Sequence, residues 1–377
     1  MSAVIVGYAR SPFTPAGKGA LAQVRPDDMA AQVVRALLKR TGVDPKLVED
    51  VIVGCAFPEG EQGFNIGRLI GLMAGLPNHV AGMTVNRFCG SSMQAVQIAA
   101  GAIEMGAGDA FVCAGVESMS RVPIGGFNPL PDPALYAKMP EAYMGMGETA
   151  ENVARKYNVS RSEQDAFALE SQKKAAEAAT KGRLKDEIVP IKAPHGMVDS
   201  DGCLRPGTTP EALADLKPAF DQKGSVTAGS SSPLTDGATA VLVVSEAFAK
   251  KHKLKPIARI VSFAVAGCAP EIMGIGPVEA TRKALARARL KLSDIDVVEL
   301  NEAFASQSLA VIRDLGLDVA KLNLDGGAIA LGHPLGATGA RLVGKVASLL
   351  KRVKGKYGLA TQCIGGGQGI AMIVEAI

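Results

Sequence analysis

The chain reads as an α/β protein made of two similar halves with a lobe set between them. Strand-like and helix-like patterns alternate through residues 3–115, return in residues 259–364, and are interrupted between Ser118 and Ser230. Alternation of this kind predicts a largely parallel sheet with crossover helices.

Each element follows from local pattern. Ala3–Gly7 is an apolar strand. Asp27–Arg40 has helical spacing, acids in its first turn and Gly42 just past its end, where a left-handed residue commonly closes a helix. Asp50–Val53 reads as a strand, Ile66–Ala74 and Gly90–Met105 as helices, and Ala110–Gly115 as a buried strand. In the second half Arg259–Ala264, Val297–Leu300 and Gly358–Ile364 read as strands. Helices are expected after Pro277, whose fixed φ suits a first helical position, and at Ala303–Arg313 and Ala340–Leu350. Ala36–Arg40 before Asp50–Val53 echoes Ala284–Ala288 before Asp296–Glu299. Ala110–Gly115 echoes Ala360–Gly365, which aligns Cys113 with Cys363. On that register the Cys89 and His333 loops each precede the equivalent helix, and halves packed face to face bring both loops to one seam.

The interruption starts in the Pro/Gly/Met-rich stretch Arg121–Met146. It continues through a helix over Ser160–Lys181, opened by the capping box of Ser160 and Glu163, and turns polar from His195 to Gly207. Its own helix face marks it as a lobe rather than a linker.

Composition narrows the function. Hydrophobic residues make up 47% and aromatics 4%, with no Trp, so the core is aliphatic; 43 glycines allow many close backbone approaches. A net charge of +4, from 41 basic and 37 acidic residues in mixed order, is too mild for a nucleic-acid partner. The basic stretch Lys351–Tyr357 reads as the end of a surface helix. Six irregularly spaced cysteines without C-x-x-C argue against zinc and against a disulfide framework, so no metal is expected and a reducing compartment is. No apolar run approaches the roughly 20 residues that cross a bilayer. Neither a signal peptide nor a common sorting tag is legible, and the expectation is a cytoplasmic protein.

Chemistry concentrates at three glycine-framed places. Cys89 stands in Val85–Ser92, where Gly90-Ser91-Ser92 opens a helix. Unpaired N–H groups and the helix dipole there predict a lowered thiol pKa and a cradle for an oxyanion. His333 sits in Gly326–Gly336 before Pro334, on a rigid turn suited to a general base. Cys363 ends a strand and precedes three glycines, so its thiol faces a ligand or packs as a core residue. Asn301, between a strand and a helix, caps that helix, holds a water or orients His333.

The blocks Val85–Ser92, Asn301–Ala305, Gly326–Arg341 and Cys363–Gly369 together resemble the four signature regions of the thiolase family. Glu117–Ser120, Met146–Glu151, Ser160–Gln172 and Gly224–Gly229 resemble it too, so the resemblance covers essentially the whole chain. It implies a duplicated αβαβα layered fold with an inserted loop domain. Residues 1–117, completed by about 231–253, would form the first half, 118–230 the coenzyme A-binding insertion and 254–377 the second half. The implied activity is acyl-CoA C-acyltransfer, with 3-ketoacyl-CoA cleaved reversibly by coenzyme A. Cys89 would carry the acyl group, His333 would take its proton and hold the thioester oxygen, and Cys363 would be the second acid/base. Asn301 would position a water in one oxyanion site, and the N–H groups of Cys89 and Gly365 would form the other. Arg205, Phe220, Ala228 and Ser232 match coenzyme A-binding positions, and Met146, Met273 and Phe304 match the wall of the reacting end. Coenzyme A thioesters are then substrates, with no permanently bound cofactor and no nucleic-acid or membrane partner. The family implies a homodimer or homotetramer and allows a hetero-complex with a β-oxidation subunit.

Two departures point to degradation. Short-chain biosynthetic members usually have His where this chain has Gly145, and Asn-Ala-Ser-Gly where it has Ser230–Pro233. Glu61–Asn65 and Ser230–Asp236 instead resemble degradative members. Alternatives are a short-chain acetyltransferase making acetoacetyl-CoA, a Cys–His thiol hydrolase, and a non-catalytic acyl-CoA- or lipid-binding relative. The last should have lost Cys89, His333 or Cys363. Carrier-protein-dependent condensing enzymes typically have two His, or His and Asn, in place of His333 and Cys363.

Overall fold

The computed structural model describes residues 2–377; Met1, the first residue of the 1–117 span, lies outside them. The first half runs β1 (Ala3–Arg10), β2 (Thr14–Pro15), α1 (Pro26–Thr41), β3 (Asp50–Gly54), α2 (Ile66–Met73), β4 (Ala81–Val85), α3 (Ser91–Glu104) and β5 (Ala110–Ser118). A lobe follows: α4 (Pro133–Lys138), α5 (Met146–Lys156), α6 (Arg161–Thr180), the hairpin β6 (Ile191–Ala193) and β7 (Gly196–Val198), and α7 (Pro210–Ala214). The chain then returns to the first sheet as β8 (Thr235–Ser245) and α8 (Glu246–Lys251). The second half contains β9 (Ala258–Gly267), α9 (Gly276–Ala288), β10 (Ile295–Leu300), α10 (Ala305–Leu315), α11 (Ala328–Leu331), α12 (Leu335–Val353), β11 (Tyr357–Ile364) and β12 (Gln368–Ala376).

Local signals set these ends. Gly42 closes α1 at φ 71°, and Ser160 and Glu163 form the expected capping box of α6. The buried stripe of α6 runs through Gln164, Ala168, Ser171, Ala175 and Ala178, small and polar enough to pack tightly on α11.

The strand order is β10-β11-β12-β9-β1-β8-β5-β3-β4. Within the sheet the two halves join at β1 and β9, through the pairs Val4–Arg259 and Ile5–Ala258. Contrary to the expectation of a largely parallel sheet, the sheet is mixed. β3–β4, β3–β5 and β10–β11 are parallel, whereas β1–β8, β5–β8, β11–β12 and β12–β9 are antiparallel. The reason is connectivity: β12 follows β11 through a tight glycine turn, and hairpins are antiparallel without needing a crossover.

Alternation along the strands separates three cores. Val4, Val112 and Leu242 face α1, while Ile5, Phe111 and Val241 face the central helices α3 and α12. In the second half Ala371 and Ile373 join the outer core with α9, and Met372 and Val374 turn inward. Two helices therefore fill the middle of a five-layer stack. Their contact depends on Gly339, where a Cβ would lie 2.4 Å from the Met93 backbone nitrogen.

The repeat is real but its residue register differs from the sequence echo. Val51 pairs with Val112 and Val297 with Gly358. Laying Asp50–Val53 on Asp296–Glu299 thus puts Glu117, not Cys113, on Cys363. The neighbouring strands agree, since Glu117 pairs with Gly237 and Cys363 with Gly369. Cys89 and His333 each stand two residues before their central helix. Apolar strands of similar composition slide easily by eye, and the ladder pairing fixes what composition leaves open.

Candidate active site

The Cys89 turn is built with strain. Phe88–Gly90 make a 3-10 turn leading into α3, and Phe88 has φ 42°, a backbone state that costs a bulky residue on the order of 1–3 kcal/mol. Asn86 Oδ1 accepts from the Phe88 N–H at 2.8 Å, and Ser91 Oγ donates to the Phe88 carbonyl at 2.6 Å, which holds it there. Across the seam, Gln362 Nε2 donates to the Cys89 carbonyl and Arg87 Nη1 to Gln368 Oε1 at 2.8 Å. The turn is thereby fastened to the β11–β12 hairpin.

The N–H groups of Gly365 and of Cys89 itself lie near enough to the Cys89 sulfur to favour its thiolate. Burial nevertheless pushes the thiol up to about 12. This overturns the lowered value expected from the helix terminus: the dipole and two donors favour a thiolate, but desolvation outweighs them. At neutral pH the resting residue is a thiol.

His333 occupies the loop between α11 and α12. Its N–H donates to Thr235 Oγ1 at 3.0 Å. Thr338 Oγ1 donates its single proton to the Pro334 carbonyl at 3.0 Å and lies 2.6 Å from His333 Nδ1. With that proton on the Pro334 carbonyl, Nδ1 is placed to donate to the hydroxyl, which puts the lone pair on Nε2. Asn301 Nδ2 donates to Nε2 at 3.3 Å. Burial lowers the imidazole to about 3, so it rests neutral.

Asn301 does not cap α10, whose N-cap is Phe304. Its N–H donates to the Thr361 carbonyl at 3.0 Å, and the Asn323 side chain clamps Leu300 by two 2.9 Å bonds. Buried Asn301 Oδ1 has no partner, a free acceptor beside the imidazole with capacity for a polar group of a ligand or a water.

Cys363 ends β11, fully buried opposite Gly369. Burial first, then the nearby Cys89 charge, raises its thiol well above the ordinary value, so the two sulfurs resist ionising together. Gly366 and Gly367, at φ 77° and 84°, turn the chain directly after them. Cys363 packs in one apolar cluster with Met146, Met273 and Phe304. A Cβ on Gly365 would come 3.3 Å from Met146 Sδ.

Phe220, half exposed, stands edge-on to Phe304 with centroids 5.9 Å apart, and fills the space above Gly147 of α5. Ser232 donates its N–H to the Ala303 carbonyl at 3.0 Å, and Ala228 is exposed nearby in the chain. Arg205 lies exposed, its N–H donating to Gln172 Oε1 of α6 at 2.9 Å. It stands near Cys203, whose sulfur abuts Gly332 beside His333. Sequence reasoning passed over Thr338, Thr235 and Gln362. The available signals were a hydroxyl five residues after His333 and a buried amide next to Cys363, both too common to single out.

A buried thiol with two N–H groups near it, a second buried thiol and a neutral imidazole are the kinds of group that acyl transfer through sulfur requires. The comparisons agree. Residues 3–247 match the description "Thiolase, N-terminal domain" and residues 254–376 "Thiolase, C-terminal domain". The chain belongs to the thiolase family. It is 49% identical to a 3-ketoacyl-CoA thiolase of Bacillus subtilis (strain 168), covering 99% of both chains. It is 48% identical to another of Marinobacter nauticus, covering 99% of this chain and 98% of that one. The structure of human mitochondrial 3-ketoacyl-CoA thiolase in complex with CoA superposes with a TM-score of 0.93 at 40% identity, covering 100% of this chain and 98% of that one.

Proposed function

We propose that this thiolase cleaves 3-ketoacyl-CoA with coenzyme A, yielding acetyl-CoA and a shortened acyl-CoA. The observation that carries the reading is the buried pair of thiols, Cys89 and Cys363, close enough to influence each other, with the Gly365 N–H beside the Cys89 sulfur and a neutral imidazole, His333, on the loop before α12.

Because Cys89 and His333 both rest neutral, attack and proton transfer go together. The sulfur adds to the 3-keto carbon as Nε2 of His333 takes the thiol proton. The C2–C3 bond breaks, and Cys363 delivers its proton to C2, releasing acetyl-CoA. His333, now protonated, and a water on Asn301 hold the thioester oxygen as the enolate forms. The acyl oxygen on Cys89 takes the N–H groups of Cys89 and Gly365, worth a few kcal/mol to the transition state. Incoming coenzyme A gives its thiol proton to the Cys363 thiolate, attacks the acyl-enzyme, and Cys89 leaves with the proton from His333.

In this reading residues 118–230 form the coenzyme A-binding lobe. Phe220, Ala228 and Ser232 line the approach, Arg205 meets the nucleotide end, and Met146, Met273 and Phe304 shape the acyl pocket. Gly145 supports longer acyl chains, since a Cβ there would meet only Glu148. Outer strand β4 pairs with β3 alone and exposes Met83; an open edge of this kind favours pairing with a second copy, hence a homodimer or a tetramer of dimers. Exposed Ile124, Phe127, Leu130 and Tyr136 suit further assembly, including a β-oxidation subunit. Six free thiols fit the reducing cytoplasm.

The test is coenzyme A-dependent cleavage of 3-ketoacyl-CoA substrates from four to sixteen carbons. Turnover favouring longer chains supports the degradative reading, turnover confined to four carbons makes it an acetoacetyl-CoA enzyme, and no turnover by folded, reduced protein overturns it.

A further inference from the structure

The equivalence of Glu117 and Cys363 sets a carboxylate where the other half has a thiol. Glu117 ends β5 with 1% of its surface exposed, and among the described residues no cation pairs with it. Its Oε2 accepts the N–H groups of Ala56 and Gly336, both at 2.8 Å. Its Oε1 accepts Gln62 Nε2 at 2.8 Å and the Phe57 N–H at 3.3 Å. Gln62 is itself fixed, donating to the Phe57 carbonyl at 2.7 Å and accepting the Ser118 N–H at 2.6 Å. Four nitrogen donors and the Cys55 thiol, 3.8 Å from Oε1, aim at the two oxygens and favour the carboxylate against the burial that raises its pKa.

The location gives this carboxylate its consequence. Gly336 is the second residue of 19-residue α12, so the charge sits at the positive end of that helix. It is also three residues beyond His333. On the other oxygen, Phe57 packs its ring 5.8 Å from that of Phe88, the strained residue before Cys89. One carboxylate thus ties the start of the imidazole's helix to the segment lying on the nucleophile turn.

Resting on the thiolase reading above, we propose that Glu117 is a positioning residue for the reaction. By holding the Gly336 N–H it fixes the His333 loop against the Cys89 turn, from the place that Cys363 fills in the other half.

Glu117→Gln replaces one acceptor with an amide NH2 facing N–H donors. Its kcat for thiolysis should fall about 30- to 100-fold while the KM for coenzyme A stays within about threefold, since displacing the base costs the transition state rather than binding. Glu117→Asp, which keeps the charge on a shorter stem, should recover to within about tenfold of wild type. A kcat within twofold of wild type for Glu117→Gln would overturn the proposal. So would a loss that follows the folded fraction alone, with Asp no better than Gln. Should Glu117→Gln not fold, Gln62→Leu removes one donor and keeps the carboxylate. A drop of about 3- to 10-fold in kcat at constant KM then supports the role, and no drop overturns it. Wild-type thiolysis is the control: without it the thiolase reading falls as well, whereas wild-type turnover with indifferent variants removes only the role of Glu117.

Discussion

The two halves have one strand order and differ where their equivalent elements end. In the first half the segment before the central helix carries a thiol, and in the second an imidazole. At the ends of the central strands the first half has Glu117 and the second Cys363. β5 runs out into the segment that carries α4 to α7, whereas β11 turns back at once through Gly365–Gly367. The outer edges differ too. β4 leaves the first sheet open, while the matching place beside β10 has only the parallel bridge of Val298 and Leu322. Duplication supplies a symmetric cradle, and its chemistry comes from breaking that symmetry at a few strand and helix ends. Thiol, imidazole and carboxylate can then differ without disturbing either core.

The sharpest way to break the comparison is to remove one thiol at a time. Cys89→Ala should abolish thiolysis, a loss of about 10⁴-fold or more, and leave no acyl adduct by intact mass. Cys363→Ala should lose thiolysis comparably and still show an acyl adduct on Cys89 after exposure to acetyl-CoA. Near-normal thiolysis by Cys363→Ala would mean that the two sulfurs do not divide the work as their different settings suggest.

Asn301 tests the base side. Asn301→Ala removes the donor on His333 Nε2 and the unpartnered Oδ1 beside it. A fall in kcat of about 10²-fold is expected from loss of one oxyanion-site support. A change confined to KM would count against that role.

The imidazole also leaves a signature in stability. Its folded pKa is about 3 against the ordinary 6.5. Below 6.5 the unfolded chain therefore binds a proton that the native state refuses. Stability from this group is complete above about pH 6.5 and is lost as the pH falls towards 3. In urea titrations across that window, His333→Gln should show a shallower acid decline than wild type. Parallel declines would mean that His333 protonates in the folded protein.

Much of this architecture was legible in the sequence because it is periodic. Strands such as Ala110–Gly115 and the capped helix after Ser160 follow from side-chain alternation and end chemistry. Cys89, His333 and Cys363 stood out because glycines flank them, and the structure buries all three. What stayed hidden depends on contacts across the seam. The carboxylate of Glu117 reaches Gly336, 219 positions away, and no local pattern encodes that distance. The pKa of Cys89 was misjudged for the same reason. A helix terminus is visible in sequence, but the burial that outweighs it arises only in the folded chain.

The smallest expected effects compare the central helices themselves. Gly339 of α12 lies where a Cβ would press the Met93 backbone at 2.4 Å, whereas Gly101 of α3 has nothing within 4 Å. Gly339→Ala should destabilise by about 1–3 kcal/mol, because backbone on both sides must separate to admit the methyl group. Gly101→Ala should stabilise by about 0.5–1 kcal/mol, since alanine restricts the unfolded chain and fits the helix. The two shifts, read from denaturant midpoints, measure how closely the central pair is packed. Equal and small effects would mean that α3 and α12 can part at Gly339 without cost. The seam that brings Cys89 to His333 would then owe its rigidity to the hydrogen bonds of its turns rather than to this crossing.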